Sequence, residues 1–226
     1  MQVVILASGK GKRMGDLTKI TPKPMLKING KPLLEHKLNA LPKEITEIVF
    51  VIGYRGEFIM DYFKNKFNGK KVTYVFQRNP NGTGTALHLA KSLLGEKFLV
   101  MNGDDLYHKK DIKKMMKHDL AILGYAVDDV TKFGIMRKNK KGNLIDIIEK
   151  PKRSKDNLAN VGLYTLNKKI FAYDLVRSNS GEFYLTDIVT AMAKDHKIKV
   201  EKASQWHPIG NLDDLKKAEE IIHKFV

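Results

Sequence analysis

The first residues with an evident chemical use form a loop of glycines and cations after a short apolar run. Val3–Ala7 are apolar and partly β-branched, as in a buried strand, and Ser8-Gly9-Lys10-Gly11-Lys12-Arg13 follows at once. Glycine lets backbone N–H groups approach an anion, and Arg and Lys neutralise charge that develops during phosphoryl transfer. The pattern predicts a phosphate-binding loop at the end of a strand.

A second cation, Lys23, lies between Pro22 and Pro24. Proline fixes its own φ and restricts the residue before it, so this backbone favours presentation of one side chain over a mobile basic loop. Two better-known phosphate loops do not fit. Met14 stands where the dinucleotide fingerprint needs its third glycine, and the Gly-Lys-Ser/Thr of a Walker loop is missing.

The runs Leu6–Met14 and Pro22–Leu26 together resemble the signature of the nucleoside triphosphate sugar-1-phosphate nucleotidyltransferases, also called nucleotide-sugar pyrophosphorylases. The motifs are most similar to those of N-acetylglucosamine-1-phosphate uridylyltransferases and glucose-1-phosphate thymidylyltransferases. The resemblance implies that Arg13 and Lys23 are catalytic. It also implies that the triphosphate is bound by Leu6, Ala7, Ser8, Gly9 and Gly11.

Gln77 ends another apolar run and is followed by a Gly-Thr-Gly stretch that begins at Gly82. An amide both donates and accepts hydrogen bonds, as the edge of a pyrimidine requires, and glycine lets the backbone approach a flat base. The alternative is a polar strand end with Thr83 or Thr85 as a helix N-cap. The resemblance implies that Gln77, Gly82 and Thr83 bind the base, with UTP favoured and dTTP next.

Two carboxylates, Asp104 and Asp105, follow the apolar run Phe98–Asn102. Carboxylates at a strand end near a phosphate loop suit Mg²⁺, which takes hard oxygen ligands and few from protein. An Asp-rich turn is the alternative. The family's Gly-Asp pair matches Gly103-Asp104, which implies that Asp104 is the metal ligand. We expect Asp105 either to cap a helix or to lie behind Asp104 without contacting the metal.

Sugar-binding residues are implied in the second half of the chain. A carboxylate, an amide and exposed backbone can all hydrogen-bond sugar hydroxyls, which is a generic property. By resemblance, the sugar-binding positions are Gly134, Glu149, Lys150 and Asn160.

The run that begins at Trp206 departs from the family pattern. Relatives often carry an Asp two residues after this Trp as a second Mg²⁺ ligand, but Pro208 occupies that position and has no ligating side chain. Asn211 or Asp213 could replace it, or one metal could be held by Asp104, substrate phosphates and water. With Pro208 at this position, three alternatives stay open: an enzyme of weak activity, an enzyme with a different acceptor substrate, and an inactive relative of the family.

The elements that would position these groups alternate early in the chain. Apolar runs at Val3–Ala7, Glu47–Ile52, Lys71–Gln77, Phe98–Asn102 and Leu120–Ala126 are separated at first by leucines at helical spacing. This alternation predicts an α/β fold with a mostly parallel sheet flanked by helices, whose ligands lie at the carboxyl ends of its strands.

The second half contains shorter strand-like runs, and helices are predicted at Lys168–Val176, Leu185–Lys194 and Asp213–Phe225. With the resemblance, the fold class is a Rossmann-like mixed sheet with a small sugar-binding lobe. We expect one domain, 1–226, with a nucleotide-binding half, 1–125, and a sugar-binding half, 126–226.

The net charge is +16, but only six of the 41 basic residues are Arg, and the Lys residues are spread along the chain. Base readout favours Arg, so the charge indicates a solvated surface that attracts anionic substrates rather than a nucleic-acid partner. No apolar run is long enough for a membrane helix, and neither cysteine nor a secretory signal pattern occurs, which predicts a cytoplasmic protein.

The predicted reaction is Mg²⁺-dependent transfer of a nucleotidyl group from a nucleoside triphosphate to a sugar-1-phosphate, with release of pyrophosphate. The open alternatives are a cytidylyltransferase for a small phosphorylated alcohol such as phosphocholine, a non-catalytic nucleotide-sugar-binding relative, and a basic nucleic-acid-binding module. A homo-oligomer is one option for the assembly. Because the chain stops at Val226, we expect the acetyltransferase β-helix of some relatives to be absent.

Overall fold

The computed structural model describes residues 1–225, apart from the side chain of Lys12. The strands are β1 (Gln2–Ala7), β2 (Lys27–Ile28), β3 (Lys31–Pro32), β4 (Glu47–Ile52), β5 (Lys66–Phe67), β6 (Lys70–Phe76), β7 (Lys97–Asn102), β8 (Asp105–Tyr107), β9 (Ala121–Ala126), β10 (Gly134–Lys138), β11 (Leu144–Glu149), β12 (Leu158–Asn167), β13 (Lys199–Lys202) and β14 (Trp206–Pro208). The α-helices are α1 (Leu17–Ile20), α2 (Leu33–Asn39), α3 (Glu57–Phe63), α4 (Thr83–Leu89), α5 (Lys109–Met115), α6 (Leu185–Asp195) and α7 (Leu212–Ile221). The 3₁₀ turns are Lys12–Met14, Lys23–Met25, Lys91–Leu93, Val130–Lys132, Lys168–Ala172 and Ile222–Lys224.

One large sheet organises the molecule, in the order β11-β10-β12-β7-β1-β4-β6-β5, with β9 pairing with β12 and β13. Strand β1 lies between β7 and β4 and is parallel to both, and β6 continues parallel beyond β4. Leu6 is in register with Asn102, and Ala7 with Ile52. The loops that leave β1, β4, β6 and β7 therefore meet at one edge of the sheet.

Beyond β7 the sheet becomes antiparallel, because β12 runs opposite to β7 and to β9, and β10 pairs antiparallel with both β12 and β11. Strands from both halves of the chain thus share one sheet. The α/β class with a mostly parallel mixed sheet, predicted from alternating runs, describes this architecture.

Apolar cores cover both faces of the sheet. One contains Leu34, Leu38, Ile59 and Phe63 from α2 and α3, and the other contains Ala86, Leu87, Ile188 and Val189 from α4 and α6. Burial of such side chains contributes about 1.5–3 kcal/mol each, so these helices are held by packing rather than by propensity.

A third, smaller core packs the glycine loop against the end of the chain. Met14, Ile28, Leu33, Ile209 and Ile222 belong to it, and Met14 is only 2% exposed. Met14, which directly follows the catalytic candidate Arg13, therefore packs the glycine loop against β2 and the end of α7.

The helix predicted over Lys168–Val176 is wrong beyond its first turn, since only a 3₁₀ turn, Lys168–Ala172, forms there. Asn167 caps this turn by accepting from the Lys169 N–H, and the chain leaves it in an extended conformation at Tyr173. Within residues 1–225, every helix is too short or too polar to span a bilayer.

Candidate active site

A cavity of about 720 Å³ opens at the carboxyl ends of β1, β6 and β7. Every residue predicted to be catalytic, nucleotide-binding or metal-ligating lines it: Leu6, Ala7, Ser8, Gly9, Gly11, Arg13, Lys23, Gln77, Gly82, Thr83 and Asp104. These residues come from four separate segments of the chain. The parallel register brings them together, because it places the ends of their strands side by side.

A second cavity of about 1170 Å³ adjoins the first and shares Arg13, Lys23, Asn102 and Asp104 with it. Its outer wall comes from the antiparallel part of the sheet and from the segment around β14. Each cavity therefore has its own walls. The shared residues, which include two cations (Arg13 and Lys23) and one carboxylate (Asp104), form the junction between the cavities.

The predicted sugar residues divide between two places. Lys150 and Asn160 line the second cavity, whereas Gly134 and Glu149 lie outside the walls of both cavities. Gly134 and Glu149 face each other in the β10–β11 pair, where a Cβ on Gly134 would lie 2.9 Å from Glu149 Oε2. Burial raises the pKa of Glu149, and the nearby Asp187 carboxylate adds to this rise.

The glycine loop is shaped by contact with the Lys23 segment. Gly11 has φ +64°, and a Cβ there would lie 2.9 Å from Lys23 Cβ and 3.1 Å from Thr18 Cγ2. The Thr18 hydroxyl also donates to the Gly11 carbonyl at 3.2 Å. Gly11 thus lets the loop close onto Lys23, which is a packing reason for glycine besides the approach of an anion.

Lys23 and Asp104 form an ion pair at the junction. Lys23 Nζ lies 2.6 Å from Asp104 Oδ2, and the Lys23 side chain is only 7% exposed. Burial opposes ionisation of Asp104, but the charge and hydrogen bond of Lys23 and the charge of Lys37 outweigh it and hold the pKa of Asp104 below its usual value. The Asp104 carboxylate is therefore ionised at neutral pH.

The turn between β7 and β8 presents Asp104. The Gly103 N–H donates to the Leu6 carbonyl at 2.8 Å, and a Cβ on Gly103 would lie 2.7 Å from that same oxygen. The Asp104 carbonyl accepts from the Ile209 N–H at 3.2 Å. Backbone contacts on two sides therefore hold this turn against the end of β1 and the segment after β14.

Asp105 neither caps a helix nor lines the first cavity. It begins β8, is 7% exposed, and its Oδ2 accepts from Asn102 Nδ2 at 3.3 Å. Burial and the neighbouring Asp104 charge raise its pKa to about 7. The expectation of a cap is wrong, because the helix that follows, α5, is capped by the His108 side chain.

Sequence reasoning missed Lys37, which is 2% exposed on α2. Its Nζ donates to the Asn102 carbonyl and lies 4.9 Å from the centre of the Tyr107 ring. Burial lowers the pKa of Lys37 to about 8, against the opposing charges of Asp105 and Asp104. A signal was present, since Lys37 follows Leu33 by four residues and Leu34 by three and so lies within the apolar stripe of the helix.

Gln77 is 3% exposed and held by hydrogen bonds on both sides of its amide. Ser8 Oγ donates to Gln77 Oε1, while Gln77 Nε2 donates to the Gly82 carbonyl at 3.0 Å. Further acceptors near Nε2 are Asn81 Oδ1 at 3.3 Å and Thr85 Oγ1 at 3.2 Å. The donor capacity of the amide is therefore used within the protein, and only its oxygen has a lone pair to spare.

The stretch after Gln77 is fastened to the start of α6. Gly82 has φ +123°, and a Cβ there would collide with the Phe183 carbonyl oxygen. Thr83 Oγ1 accepts from the Leu185 N–H at 3.0 Å, and no side chain caps α4. The expected capping of α4 by Thr83 or Thr85 is wrong: the Thr83 hydroxyl serves a helix 102 residues away.

Pro208 lies opposite Asp105 in the β8–β14 pair and lines the second cavity. Asn211 Oδ1 accepts from the Asp214 N–H at 2.9 Å, and Asp214 Oδ2 accepts from Asn211 N at 3.0 Å. This reciprocal capping box occupies Asn211, and Asp213 is exposed outside the cavity walls. Of the two predicted substitutes, Asn211 lines the second cavity with its oxygen engaged in the cap, and Asp213 lines neither cavity.

An aromatic group that sequence reasoning also missed lines the second cavity. The Trp206 ring centre lies 5.8 Å from that of Tyr125 and 5.4 Å from that of Phe133. Trp206 Nε1 is buried and has no hydrogen-bond partner among residues 1–225. Aromatic faces suit apolar C–H surfaces such as those of a sugar ring.

The donors present fit a magnesium ion with few protein ligands. Residues 1–225 contain no cluster of three or more His, Cys, Asp or Glu that could hold a metal unaided. Asp104 offers one ionised carboxylate at the cavity junction. Mg²⁺ commonly binds through one or two carboxylates with substrate phosphates and water, so this donor set suits it.

A Rossmann-like sheet with a phosphate loop after β1, a buried Lys and a carboxylate after β7 defines a nucleotide-binding transferase. The sequence profile of the nucleotidyl transferase family matches residues 2–224, and the chain belongs to that family. The fold class and family resemblance predicted from sequence are thereby confirmed.

Two relatives illustrate the range of the family. The bifunctional protein GlmU of Methanocaldococcus jannaschii is 34% identical over 98% of this chain, which covers 54% of GlmU. The UTP–glucose-1-phosphate uridylyltransferase AglF of Haloferax volcanii is 32% identical over 99% of this chain and 97% of its own length. The chain thus spans about half the length of its GlmU relatives and nearly all of AglF.

A solved structure also shares the fold. A Bacillus anthracis protein provisionally assigned as a glucose-1-phosphate thymidylyltransferase superposes with a TM-score of 0.89 at 27% identity. The match covers 100% of this chain and 96% of that protein. A UDP-glucose pyrophosphorylase complexed with UDP-glucose gives a TM-score of 0.85 at 24% identity, which supports the fold alone.

Proposed function

We propose that this protein transfers a nucleotidyl group from a nucleoside triphosphate to a sugar-1-phosphate. The observation that carries the proposal is the junction of two cavities at Arg13, Lys23 and Asp104. A triphosphate held by the glycine loop in the first cavity and a phosphate held in the second would meet there. The named relatives GlmU and AglF support the same class of reaction.

In this reaction a phosphate oxygen of the sugar-1-phosphate forms a bond to the α-phosphorus of the triphosphate. The bond from that phosphorus to the bridging oxygen breaks, and its electron pair leaves with pyrophosphate. The nucleophile is already anionic, so no general base is needed. The work left to the protein is positioning and charge neutralisation, for which Arg13 and Lys23 at the junction are suited.

Asp104 is the residue that would hold Mg²⁺, together with substrate phosphate oxygens and water. The bound ion supplies further neutralisation of phosphate charge. Lys23 keeps Asp104 ionised, which a hard-cation ligand requires. The proposed ligand set has a single protein carboxylate, since Pro208 contributes none.

The hydrogen bonds of Gln77 support a base that carries an N–H on its edge. Because Nε2 donates to the Gly82 carbonyl, the amide offers an acceptor to the cavity, and Ser8 holds it in that orientation. Uracil and thymine have an N3–H donor, whereas cytosine has an N3 acceptor. This favours UTP and dTTP over CTP, and we propose UTP ahead of dTTP because the Gly-Thr-Gly stretch resembles that of UTP-using members of the family.

The experiment that tests this function measures pyrophosphate release with Mg²⁺. UTP, dTTP, CTP, ATP and GTP are each combined with glucose-1-phosphate, N-acetylglucosamine-1-phosphate and phosphocholine. We expect the highest kcat/KM with UTP and one of the sugar phosphates. A reaction confined to CTP and phosphocholine would make the protein a cytidylyltransferase instead.

The same preparation separates the remaining alternatives. Nucleotide binding without turnover in any combination would identify a non-catalytic relative. Tight binding to oligonucleotides that weakens steeply with salt, without nucleotide turnover, would identify a basic nucleic-acid-binding module. Either result would reject the proposed transfer reaction.

Ser8→Ala should reduce the discrimination between UTP and CTP. The change removes the hydroxyl that donates to Gln77 Oε1 and lets the amide reorient. We expect the ratio of kcat/KM for UTP to that for CTP to fall about fivefold, matching the ~1 kcal/mol of one hydrogen bond. Ser92→Ala, at an exposed position outside the nucleotide cavity, is the matched control. An unchanged ratio in Ser8→Ala would contradict the role of this hydrogen bond.

A further inference from the structure

Lys37 is a buried cation that the proposed reaction does not use. It projects from α2 into a core that includes Leu34, Leu38 and Tyr107. Taking an ammonium group out of water is costly unless hydrogen bonds and an opposite charge compensate it. The groups around Lys37 must therefore supply that compensation.

The contacts of Lys37 all lead to the turn that carries Asp104. Lys37 Nζ donates to the carbonyl of Asn102, the last residue of β7. It also lies 4.9 Å from the centre of the Tyr107 ring, close enough for a cation–π interaction. Asn102 and Tyr107 are thus held by a residue that lines neither cavity.

Asp105 is a carboxyl group buried beside the same two residues, Asn102 and Tyr107. Asp105 Oδ2 lies 3.3 Å from Asn102 Nδ2 and 3.2 Å from the Tyr107 hydroxyl, which also donates to the Val161 carbonyl at 2.7 Å. Two adjacent carboxylates, Asp104 and Asp105, repel each other in a low-dielectric environment. Lys23 pairs directly with the first. Lys37 makes no direct ion pair with Asp105, but both residues contact Asn102 and Tyr107, so Lys37 is the cation placed near the second carboxyl group.

We propose that Lys37 is a positioning residue for nucleotidyl transfer: through the Asn102 carbonyl and the charge of Asp105, it holds the β7–β8 turn so that Asp104 stays directed toward Lys23 and the cavity junction. The inference rests on the proposed function for its effect on turnover. Its structural part, the mutual dependence of Lys37 and Asp105, does not need that function.

The pairing makes a distinctive prediction for neutralising substitutions. Lys37→Met keeps the length of the side chain but leaves Asp105 without its cation, and Asp105→Asn leaves Lys37 without its anion. In the double variant neither charge remains, so most of the cost disappears. Removing one of two neighbouring buried groups of opposite charge is usually far worse than removing both.

The experiment measures thermal unfolding and steady-state kinetics for the wild type, both single variants and the double variant. We expect Lys37→Met to lower kcat about 30-fold with KM for the nucleotide within about threefold, since positioning acts on the transition state. The double variant should recover about tenfold in kcat and most of the lost thermal stability.

Lys70→Met is the matched control for general loss of a buried lysine. Lys70 is 8% exposed on β6, and its Nζ donates to the carbonyls of Pro42 and Ile45, away from both cavities. It should lower thermal stability without changing the kcat of the folded protein. Equal losses of kcat in Lys70→Met and Lys37→Met would overturn the proposal, as would a double variant no better than Lys37→Met.

A binding readout keeps the test decisive if the proposed reaction fails. Trp206, the single tryptophan, is in register with Tyr107 in the β8–β14 pair, so its fluorescence reports on this region. In the wild type we expect Mg²⁺ to strengthen UTP binding, and in Lys37→Met this strengthening should fall about tenfold with recovery in the double variant. Equal Mg²⁺ dependence in wild type and Lys37→Met would overturn the positioning role even for a protein without turnover.

Discussion

Lys23→Ala should lower kcat by about 10²–10³-fold, the range seen when one preorganised group that stabilises transition-state charge is removed. The Lys23 ammonium is held between two prolines, is almost fully buried, and borders both cavities. Because its position is set before substrate binds, little reorganisation accompanies the reaction, and the loss should fall on kcat more than on KM.

Lys27→Ala is the matched control, since Lys27 is exposed on β2 only four residues away and lines neither cavity. It should keep wild-type kcat. Lys23→Ala also removes the cation that keeps Asp104 ionised, so far-UV circular dichroism and thermal unfolding must accompany the kinetics. Near wild-type turnover in a folded Lys23→Ala protein would refute the assigned role.

Asp104→Asn should abolish most of the Mg²⁺-dependent activity. The change keeps the size of the side chain but removes the ionised oxygen at the cavity junction, so we expect kcat to fall about 10²-fold or more and the half-saturating Mg²⁺ concentration to rise. A magnesium titration at saturating UTP and sugar-1-phosphate measures both effects. Unchanged Mg²⁺ dependence would exclude Asp104 as the metal ligand.

The two variants should not be independent. Lys23 Nζ and Asp104 Oδ2 lie 2.6 Å apart. Substitution of either residue therefore leaves the other without its charged partner. In the double variant Lys23→Ala/Asp104→Asn, the loss of kcat should be clearly smaller than the product of the single losses. A fully multiplicative loss would mean that the two side chains act separately, against the idea of one junction. Asp213→Asn, on the exposed first turn of α7, is the carboxylate control.

Much of the first cavity could be predicted from short sequence segments. The run Val3–Ala7, the glycine loop and the Pro-Lys-Pro segment are local patterns, and the first forms the strand that the pattern indicated. Their assembly was also predictable, because parallel strands place their carboxyl ends at a common edge. Hence Arg13, Lys23 and Asp104, far apart in sequence, line one cavity.

The second cavity was less predictable, because it depends on antiparallel register and long-range contacts. Gly134 and Glu149 pair with each other across β10 and β11, while Lys150 and Asn160 reach the second cavity. The aromatic wall around Trp206 gathers residues from three separate segments. The spacing of apolar residues within one segment does not show which distant segments will pack against it.

The amino-acid sequence by itself determined the glycine loop after β1, the common edge at which the parallel strands end, and the family, since these follow from local residue types and spacing. Only the tertiary structure decided the partners of polar groups. It placed Lys37 on the buried side of the β7–β8 turn and committed the Thr83 hydroxyl to the N–H of Leu185. The reason is physical: a strand or helix follows from neighbouring residues, whereas a buried charge or hydroxyl is stable only where distant segments supply its counter-charge or acceptor.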